Sequence, residues 1–369
     1  MIRLSKSTIT ESEKRAVMDV LDREYLGMGQ EVLKFEKRLE DFFGRPATCV
    51  ANGTAALHLA CQAIGIKVGD EVLVPSLTYV ASFQAISASG AKPIACDINV
   101  DTLTLDWKDA EKRLTSKTKA IMPVHYAGGA GDIDGIYKFA NQYGLRVIED
   151  AAHAFGSNYN GIQIGSFGDI ACFSFDGIKN ITSGEGGCII TEDNSVIKKI
   201  RDARLLGVEN DTIKRYSGER SWDFDVSNQG WRYHMSNIMA AIGVEQLKRF
   251  PELKSKRQLL ARRYDMLLLK NKSIICLKQD YSNIVPHIYV VRIKELLNRE
   301  KLREAMLREG IQTGVHWKPN HLLSMYRTEG ILPLSATDSI YPTLITLPLH
   351  ADMNESDVDF VCEKLITLI

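Results

Sequence analysis

"AIMPVHYAGGAGDIDGIYKFANQYGLRVIED", residues 120–150, holds two short apolar runs with a helical pattern between them. Ile136, Phe139, Ala140 and Tyr143 recur at helical spacing, and Gly144 closes the segment before "LRVIE" begins. Strand, helix and strand in that order form a βαβ crossover, which joins parallel neighbours. The same rhythm extends in both directions. From residue 47 to 191 the runs "TCVA", "EVLV", "PIACDI", "AIMPV", "LRVIE", "IACFSF" and "GCIIT" alternate with helical patterns. The predicted fold class is α/β, a large domain whose central, mostly parallel sheet is flanked by helices.

Past residue 192 the rhythm weakens. "MSNIMAAIGVEQLKRFPELKSKRQLLARRYDMLLLKNK" (235–272) predicts two long helices broken near Pro251. A strand signal "HIYVVRI" follows, then a charged helix over 298–307 and a last helix from Glu355. These elements suffice for a smaller C-terminal α+β domain, so the expected division is 1–245 and 246–369. The basic run "IKKIRDARLLG" (197–207) is read as a solvated helix face.

Composition excludes several classes of function. Of 369 residues 45% are apolar, and no run approaches the roughly 20 uninterrupted apolar residues that a membrane helix needs. Forty-six basic residues balance 46 acidic ones, which is not the footprint of a nucleic-acid binder. The opening "MIRLSKSTITESEKRA" lacks a signal-peptide core and leads into a helix with Thr10 and Glu13 at capping-box spacing, so a cytoplasmic location is expected. The seven cysteines are scattered without a C-x-x-C pair and read as reduced core positions.

Three stretches are expected to meet beyond the carboxyl ends of the strands, where open α/β sheets bind ligands. In "VANGTAALHLACQAIG" (50–65) Asn52 and Gly53 turn and a helix begins at Thr54, and its free amides and hydroxyl suit a phosphate, although Asn and Thr are also ordinary caps. In "LRVIEDAAHAFGS" (145–157) the strand ends on paired acids. Asp150 could hold a proton on a ring nitrogen and His153 reach a phenolic oxygen, or the two could be a helix cap and a structural histidine. In "SFDGIKNITSGEGG" (174–187) Lys179 follows the strand-ending Ser174 by five residues and precedes glycines 184, 186 and 187, which would let backbone pack close to a bound ring and permit positive φ where needed. A lysine becomes a nucleophile only when burial or positive charge lowers its pKa; otherwise it is a surface loop residue. A phosphate cradle, an acid for a pyridinium, a partner for a phenolic oxygen and an amine for an aldehyde together describe pyridoxal 5'-phosphate.

With "GQEVLKFEKRLEDFFG", "ANGTAALHLACQAIGIKVGDEVLVPSLTYVAS", "VIEDAAHAFGS", "GDIACFSFDGIKNITSGEGG", "MSNIMAAIGVEQL" and "GVHWKPNH" in that order, the chain resembles the DegT-family sugar aminotransferases over nearly its whole length. The resemblance implies the fold type I architecture. It also implies that Lys179 bonds the cofactor and moves the proton, Asp150 pairs with the ring nitrogen, Tyr79 stacks on the ring, and Ala152 lies against its opposite face. His153 would stand near the phenolic oxygen, and Gly53, Thr54 and Ser174 at the phosphate. Where the family reads G-Y-N-Y-R-M, this chain reads "GWRYHM", so Arg232 replaces an Asn that reaches the neighbouring subunit's cofactor phosphate, and His234 replaces the Arg. Arg232 could take that phosphate or a nucleotide diphosphate. His316 and His321 match the pattern near the active-site mouth and are read as substrate contacts, not as a metal pair.

The implied reaction moves an amino group from L-glutamate to a keto carbon of a nucleotide-linked deoxysugar, with the 4-keto position favoured over the 3-keto by the "MSNIMAAIG" segment. A homodimer with shared sites is implied as well. Two other readings compete: a dehydratase, whose members carry histidine where Lys179 stands, and a regulatory protein that binds cofactor without turnover.

Overall fold

Each apolar run of residues 47–191 becomes a strand of one seven-stranded sheet in the computed structural model, which describes residues 1–328, 330 and 332–369. The strands are β1 (Ala47–Val50), β2 (Glu71–Pro75), β3 (Lys92–Cys96), β4 (Thr118–Ile121), β5 (Arg146–Asp150), β8 (Ile170–Ser174) and β9 (Gly187–Thr191). A small hairpin of β6 (Asn158–Tyr159) and β7 (Ile162–Gln163) lies between β5 and β8 in sequence. The sheet order is β1-β9-β8-β5-β4-β2-β3. The strands from β8 to β3 pair in parallel, whereas β9 runs antiparallel to both of its neighbours.

Helices cover both faces: α1 (Glu11–Asp22), α2 (Gln30–Phe43), α3 (Gly53–Ala63), α4 (Val80–Ala88), α5 (Trp107–Lys112), α6 (Ile133–Tyr143), α7 (Asn194–Ala203) and α8 (Asp211–Tyr216). Successive side chains of a buried strand serve opposite layers. Leu73 joins the layer of Phe35 and Leu39 from α2 and Phe139 from α6, while Val72 and Val74 join that of Leu59 from α3 and Phe83 from α4. The α6 crossover forms as predicted and ends on Gly144 at φ 65. Tyr143 departs from expectation: it is exposed and its hydroxyl bonds Glu111. At the other predicted helix start, Thr10 donates from its backbone amide to the Glu13 carboxylate at 2.8 Å.

The predicted break at Pro251 does not occur. A single 32-residue helix, α9 (Asn237–Leu268), runs through it. Proline costs an interior helix about 3 kcal/mol, and packing on both sides of it offsets the loss. Val244, Phe250 and Leu253 lie in the core against the sheet, and Leu260, Tyr264 and Leu268 in a second core. That second core contains β10 (Ile274–Cys276), β11 (Tyr289–Ile293), α10 (Arg299–Arg308), β12 (Leu344–Leu347) and α12 (Glu355–Leu368), and α11 (Ser335–Ile340) packs beside it. The strands β10, β11 and β12 form an antiparallel sheet. The first residues of the chain belong to this region too, since Ile2 bridges Ile311 and the amide of Leu349 donates to the carbonyl of Leu4 at 3.1 Å. All seven cysteines are free and buried, and no helix among the described residues is long and apolar enough to cross a membrane.

Candidate active site

Parallel strands end on one edge of the sheet, and the edge after β1, β2, β5 and β8 gathers the singled-out residues. At the end of β5, alternation sends two adjacent acids in opposite directions. Glu149 points into the core, where His125 Nε2 lies 2.6 Å from one carboxylate oxygen and the Tyr137 hydroxyl donates to the other at 2.6 Å. Asp150 is the acid directed to the crevice. Ser82 Oγ donates to its Oδ2 at 2.7 Å, and the Ala152 amide approaches its Oδ1 at 3.3 Å. Burial pushes the Asp150 pKa above its ordinary value, while those two donors and the charges of Lys179 and His125 oppose the rise.

Lys179 lies in the loop between β8 and β9, half-buried. Burial brings its pKa down to about 8; Asp150 and Asp176 pull it back up, and Arg257 lowers it further. A substantial fraction of the amine is therefore unprotonated near neutral pH, as attack on an aldehyde requires. Lys179 and Asp150 influence each other electrostatically without forming an ion pair.

The phosphate candidates meet closely. The Asn52 side chain caps α3 by accepting from the Ala55 amide at 2.8 Å, which leaves the first amides, of Gly53 and Thr54, without intrahelical acceptors. A methyl group at Gly53 would lie 2.9 Å from Ser174 Cβ, so only glycine lets this helix start approach the end of β8. Of the downstream glycines, Gly186 and Gly187 act differently from expectation. A methyl group at Gly187 would strike the Asn52 carbonyl oxygen at 2.6 Å and one at Gly186 the Ser183 hydroxyl at 2.1 Å. These two make room for protein and not for a ring, while Gly184 supplies a positive φ of 82.

Tyr79 is exposed at the start of α4, its ring centroid 4.9 Å from that of Trp317. His153 is buried between Trp317, at 6.0 Å, and His287, at 4.5 Å. Its Nδ1 has no partner among the described residues, and burial drives its pKa well below the usual histidine range, so the ring is neutral. Ala152 is half-buried beside it. His316 also stays neutral, its pKa lowered to about 4 by burial and by Lys179, with Nδ1 2.8 Å from Thr346 Oγ1.

His321 has both ring nitrogens engaged, Nδ1 by Ser76 Oγ at 2.7 Å and Nε2 by Asp338 at 3.0 Å. With Asn320, which donates to the carbonyls of Ser76 and Thr78, it anchors the 316–322 segment to the turn that carries Tyr79. That geometry makes it a brace and leaves no ring nitrogen for substrate. Arg232 is exposed and makes no ion pair among the described residues; His234 behind it is held to a pKa of about 4 by burial and the nearby arginines.

Sequence reasoning missed Ser82, Trp317, His287 and Arg257. Ser82 had a local signal, being three residues beyond Tyr79 and thus one turn into α4. The others meet the site only through the tertiary fold.

The residues present fit pyridoxal phosphate: a crevice-facing carboxylate, an amine with lowered pKa, an unpartnered ring nitrogen on His153 and a helix start that tolerates no side chain. Comparison with known proteins agrees. The DegT/DnrJ/EryC1/StrS aminotransferase family model matches residues 7–366. An uncharacterized protein of Methanocaldococcus jannaschii is 37% identical over 361 residues, covering 95% of this chain and 93% of its own length. Spr1654 of Streptococcus pneumoniae, assigned as a sugar aminotransferase and solved in PLP and PMP forms, superposes in the latter with a TM-score of 0.92 at 30% identity, covering 100% of this chain and 99% of its own. PseC of Helicobacter pylori, an aminotransferase of pseudoaminic acid biosynthesis, superposes with a TM-score of 0.92 at 27% identity over 100% of this chain and 98% of its own. The chain belongs to the DegT/DnrJ/EryC1/StrS aminotransferase family, pyridoxal phosphate-dependent enzymes of fold type I.

Proposed function

We propose that the protein transfers an amino group from L-glutamate to the C4 keto carbon of a nucleotide-linked deoxysugar. One observation carries the chemistry: an amine with a pKa of about 8, in the loop after β8, lies close enough to the buried Asp150 carboxylate at the end of the neighbouring β5 for each to act on the other's charge. The sugar class is supported by the sugar aminotransferase assigned to Spr1654 and by the role of PseC in pseudoaminic acid biosynthesis. The C4 position is supported by the resemblance of the segment 235–243 to 4-keto enzymes.

When bound, pyridoxal phosphate supplies an electron sink for negative charge on the substrate carbon that bears nitrogen. Asp150 would keep a proton on the ring nitrogen, with Ser82 orienting the carboxylate for that task. Lys179 would hold the cofactor through its amine, and the same amine, when free, would move the proton at the substrate carbon. The neutral ring of His153 would serve the phenolic oxygen, and Tyr79 and Ala152 would hold the ring. The amides of Gly53 and Thr54 with the Ser174 hydroxyl would hold the phosphate. That phosphate also calls for a cation, and the exposed Arg232 is proposed to supply it across a homodimer, to the partner's site. His316 and Trp317 line the mouth where the sugar enters. The seven buried thiols suit a reducing compartment, and the cytoplasm is the proposed location.

The test is a panel of nucleotide-linked 3-keto and 4-keto sugars incubated with L-glutamate and scored by product mass, alongside absorbance of the purified holoenzyme. Glutamate is expected to shift the visible-edge band and one 4-keto sugar to gain an amino group. A band that no amino acid shifts would leave only a binding protein. Sharing of sites is tested by mixing Arg232→Ala with Lys179→Ala subunits: recovery of activity is expected, and none would place Arg232 in its own chain's site.

A further inference from the structure

Arg257 belongs to no motif and lies in the middle of α9, only 3% exposed. A buried guanidinium ordinarily faces a carboxylate. This one has no ion pair among the described residues and donates to carbonyls alone. Nη1 reaches those of Pro286, His287 and Leu349 at 3.1–3.4 Å, and Nη2 those of Ile178 and Lys179 at 3.4 and 3.5 Å. Pro286 and His287 lead into β11, and Leu349 follows β12. One side chain thus spans the long helix, the entrance and exit of the small sheet and the backbone of the lysine loop.

We propose that Arg257 is a positioning residue for Lys179, fastening the 178–179 backbone to the small sheet and keeping a fixed positive charge beside the amine. The long, shared hydrogen bonds suit this role, because carbonyl dipoles satisfy the guanidinium without cancelling its charge as a carboxylate would. Burial lowers the Arg257 pKa only to about 10, so the charge persists at neutral pH. The other groups that act on the Lys179 amine are Asp150 from β5 and Asp176 from its own loop, both of which favour the protonated form. His153, His287 and His316 face it in neutral form. Arg257 is therefore the one fixed cation in the set opposing those two carboxylates.

This inference rests on the reading of Lys179 as the amine that bonds the cofactor, and the experiment separates the two. Cofactor-free protein is mixed with pyridoxal phosphate across a range of pH; the rate of capture is followed by absorbance, and the product is reduced with borohydride and mapped. Label on another lysine sinks the reading of Lys179 itself. With label on Lys179, Arg257→Gln, which can still donate to carbonyls but carries no charge, is expected to raise the capture midpoint by about one pH unit and slow capture at pH 7 about tenfold. Arg257→Lys is expected to hold the wild-type midpoint. An unmoved midpoint in folded Arg257→Gln, or equal shifts in both variants, overturns the proposal. Should Arg257→Gln fail to fold, Arg257→Lys decides: a midpoint that rises with the charge retained overturns it, and a midpoint that holds supports it.

Discussion

Replacing Ser82 by alanine removes one hydroxyl from a fully buried position and changes what Asp150 can do. In the native protein that hydroxyl donates to Asp150 Oδ2 at 2.7 Å and lies 3.0 Å from Thr78 Oγ1, while the other carboxylate oxygen has only the longer bond from Ala152. A hydrogen bond to a charged acceptor contributes about 1.5–3 kcal/mol, and one pKa unit corresponds to about 1.4 kcal/mol. Losing it therefore raises the Asp150 pKa by about one to two units, on top of the increase that burial already causes. The sign follows from the task. Asp150 must be ionised to hold a proton on the ring nitrogen, so activity is lost as pH falls, and Ser82→Ala should move the acid limb of kcat/KM upward by that amount. In the cofactor-free protein an acid whose folded pKa exceeds its unfolded value takes up a proton on folding. Its contribution to stability falls as pH rises through that interval, and the variant widens the interval. The assay is kcat/KM against pH on holoenzyme of verified cofactor content, with Ser82→Thr as the variant that keeps the hydroxyl. A folded, loaded Ser82→Ala enzyme with an unmoved acid limb would refute the assignment of Asp150 to the ring nitrogen.

Three further outcomes are expected. Gly53→Ala places a methyl group against Ser174; overpacking of about 1–3 kcal/mol should weaken cofactor binding roughly 10- to 100-fold, read by equilibrium dialysis, with far-UV dichroism unchanged. Lys179→Met should stabilise the cofactor-free protein by roughly 2–3 kcal/mol at or below pH 8, because the native amine pKa of about 8 lies below that of an unfolded lysine. Wild-type stability then rises with pH between about 8 and 10.4, and urea unfolding at both ends of that window should show this lysine's share of the slope vanish in the variant. His321→Ala leaves Ser76 and Asp338 without their shared partner and should lower stability by about 1–3 kcal/mol. A Tm unchanged by that substitution would argue against its role as a brace.

Much of the fold was legible because the buried strands are short apolar runs bounded by glycines and polar turns, a pattern that survives without tertiary information. The α6 crossover is the clearest case, since its periodicity, its Gly144 stop and the following strand all agree. Pro251 misled because propensity describes an isolated helix, whereas α9 is held by Phe250 on one side and Tyr264 on the other, in two different cores. The placement of Lys179, Asp150 and His153 at the carboxyl edge of the sheet was legible because each ends or follows a recognisable strand. Arg257 and His287 were not, since their significance comes from contacts across 78 residues or more of chain or through ring packing that no local pattern records. His321 was read as a substrate contact for want of knowing that Ser76, 245 positions away, occupies its Nδ1.

The departure of β9 from the parallel rule explains why the site lies where it does. After a parallel strand the chain ordinarily leaves in a helix that runs back along the sheet, and a lysine five residues on would be carried away from the edge. Here β9 returns antiparallel beside β8, with Ser174 opposite Gly187, so residues 175–186 remain at the carboxyl edge as a loop. β9 pairs in turn with β1, setting Gly187 opposite Val50, and the missing side chain at Gly187 lets the Asn52 carbonyl approach. The turn after β1, proposed to take the phosphate, and the lysine loop after β8 are thereby brought together by one reversed strand. A bulkier residue at 187 would strike the Asn52–Gly53 backbone and push that turn away from the lysine loop, so Gly187→Val should lose pyridoxal phosphate affinity and Lys179 labelling together. If labelling at 179 persisted at the wild-type rate while affinity fell, the two halves of the site would be independent of the strand that joins them.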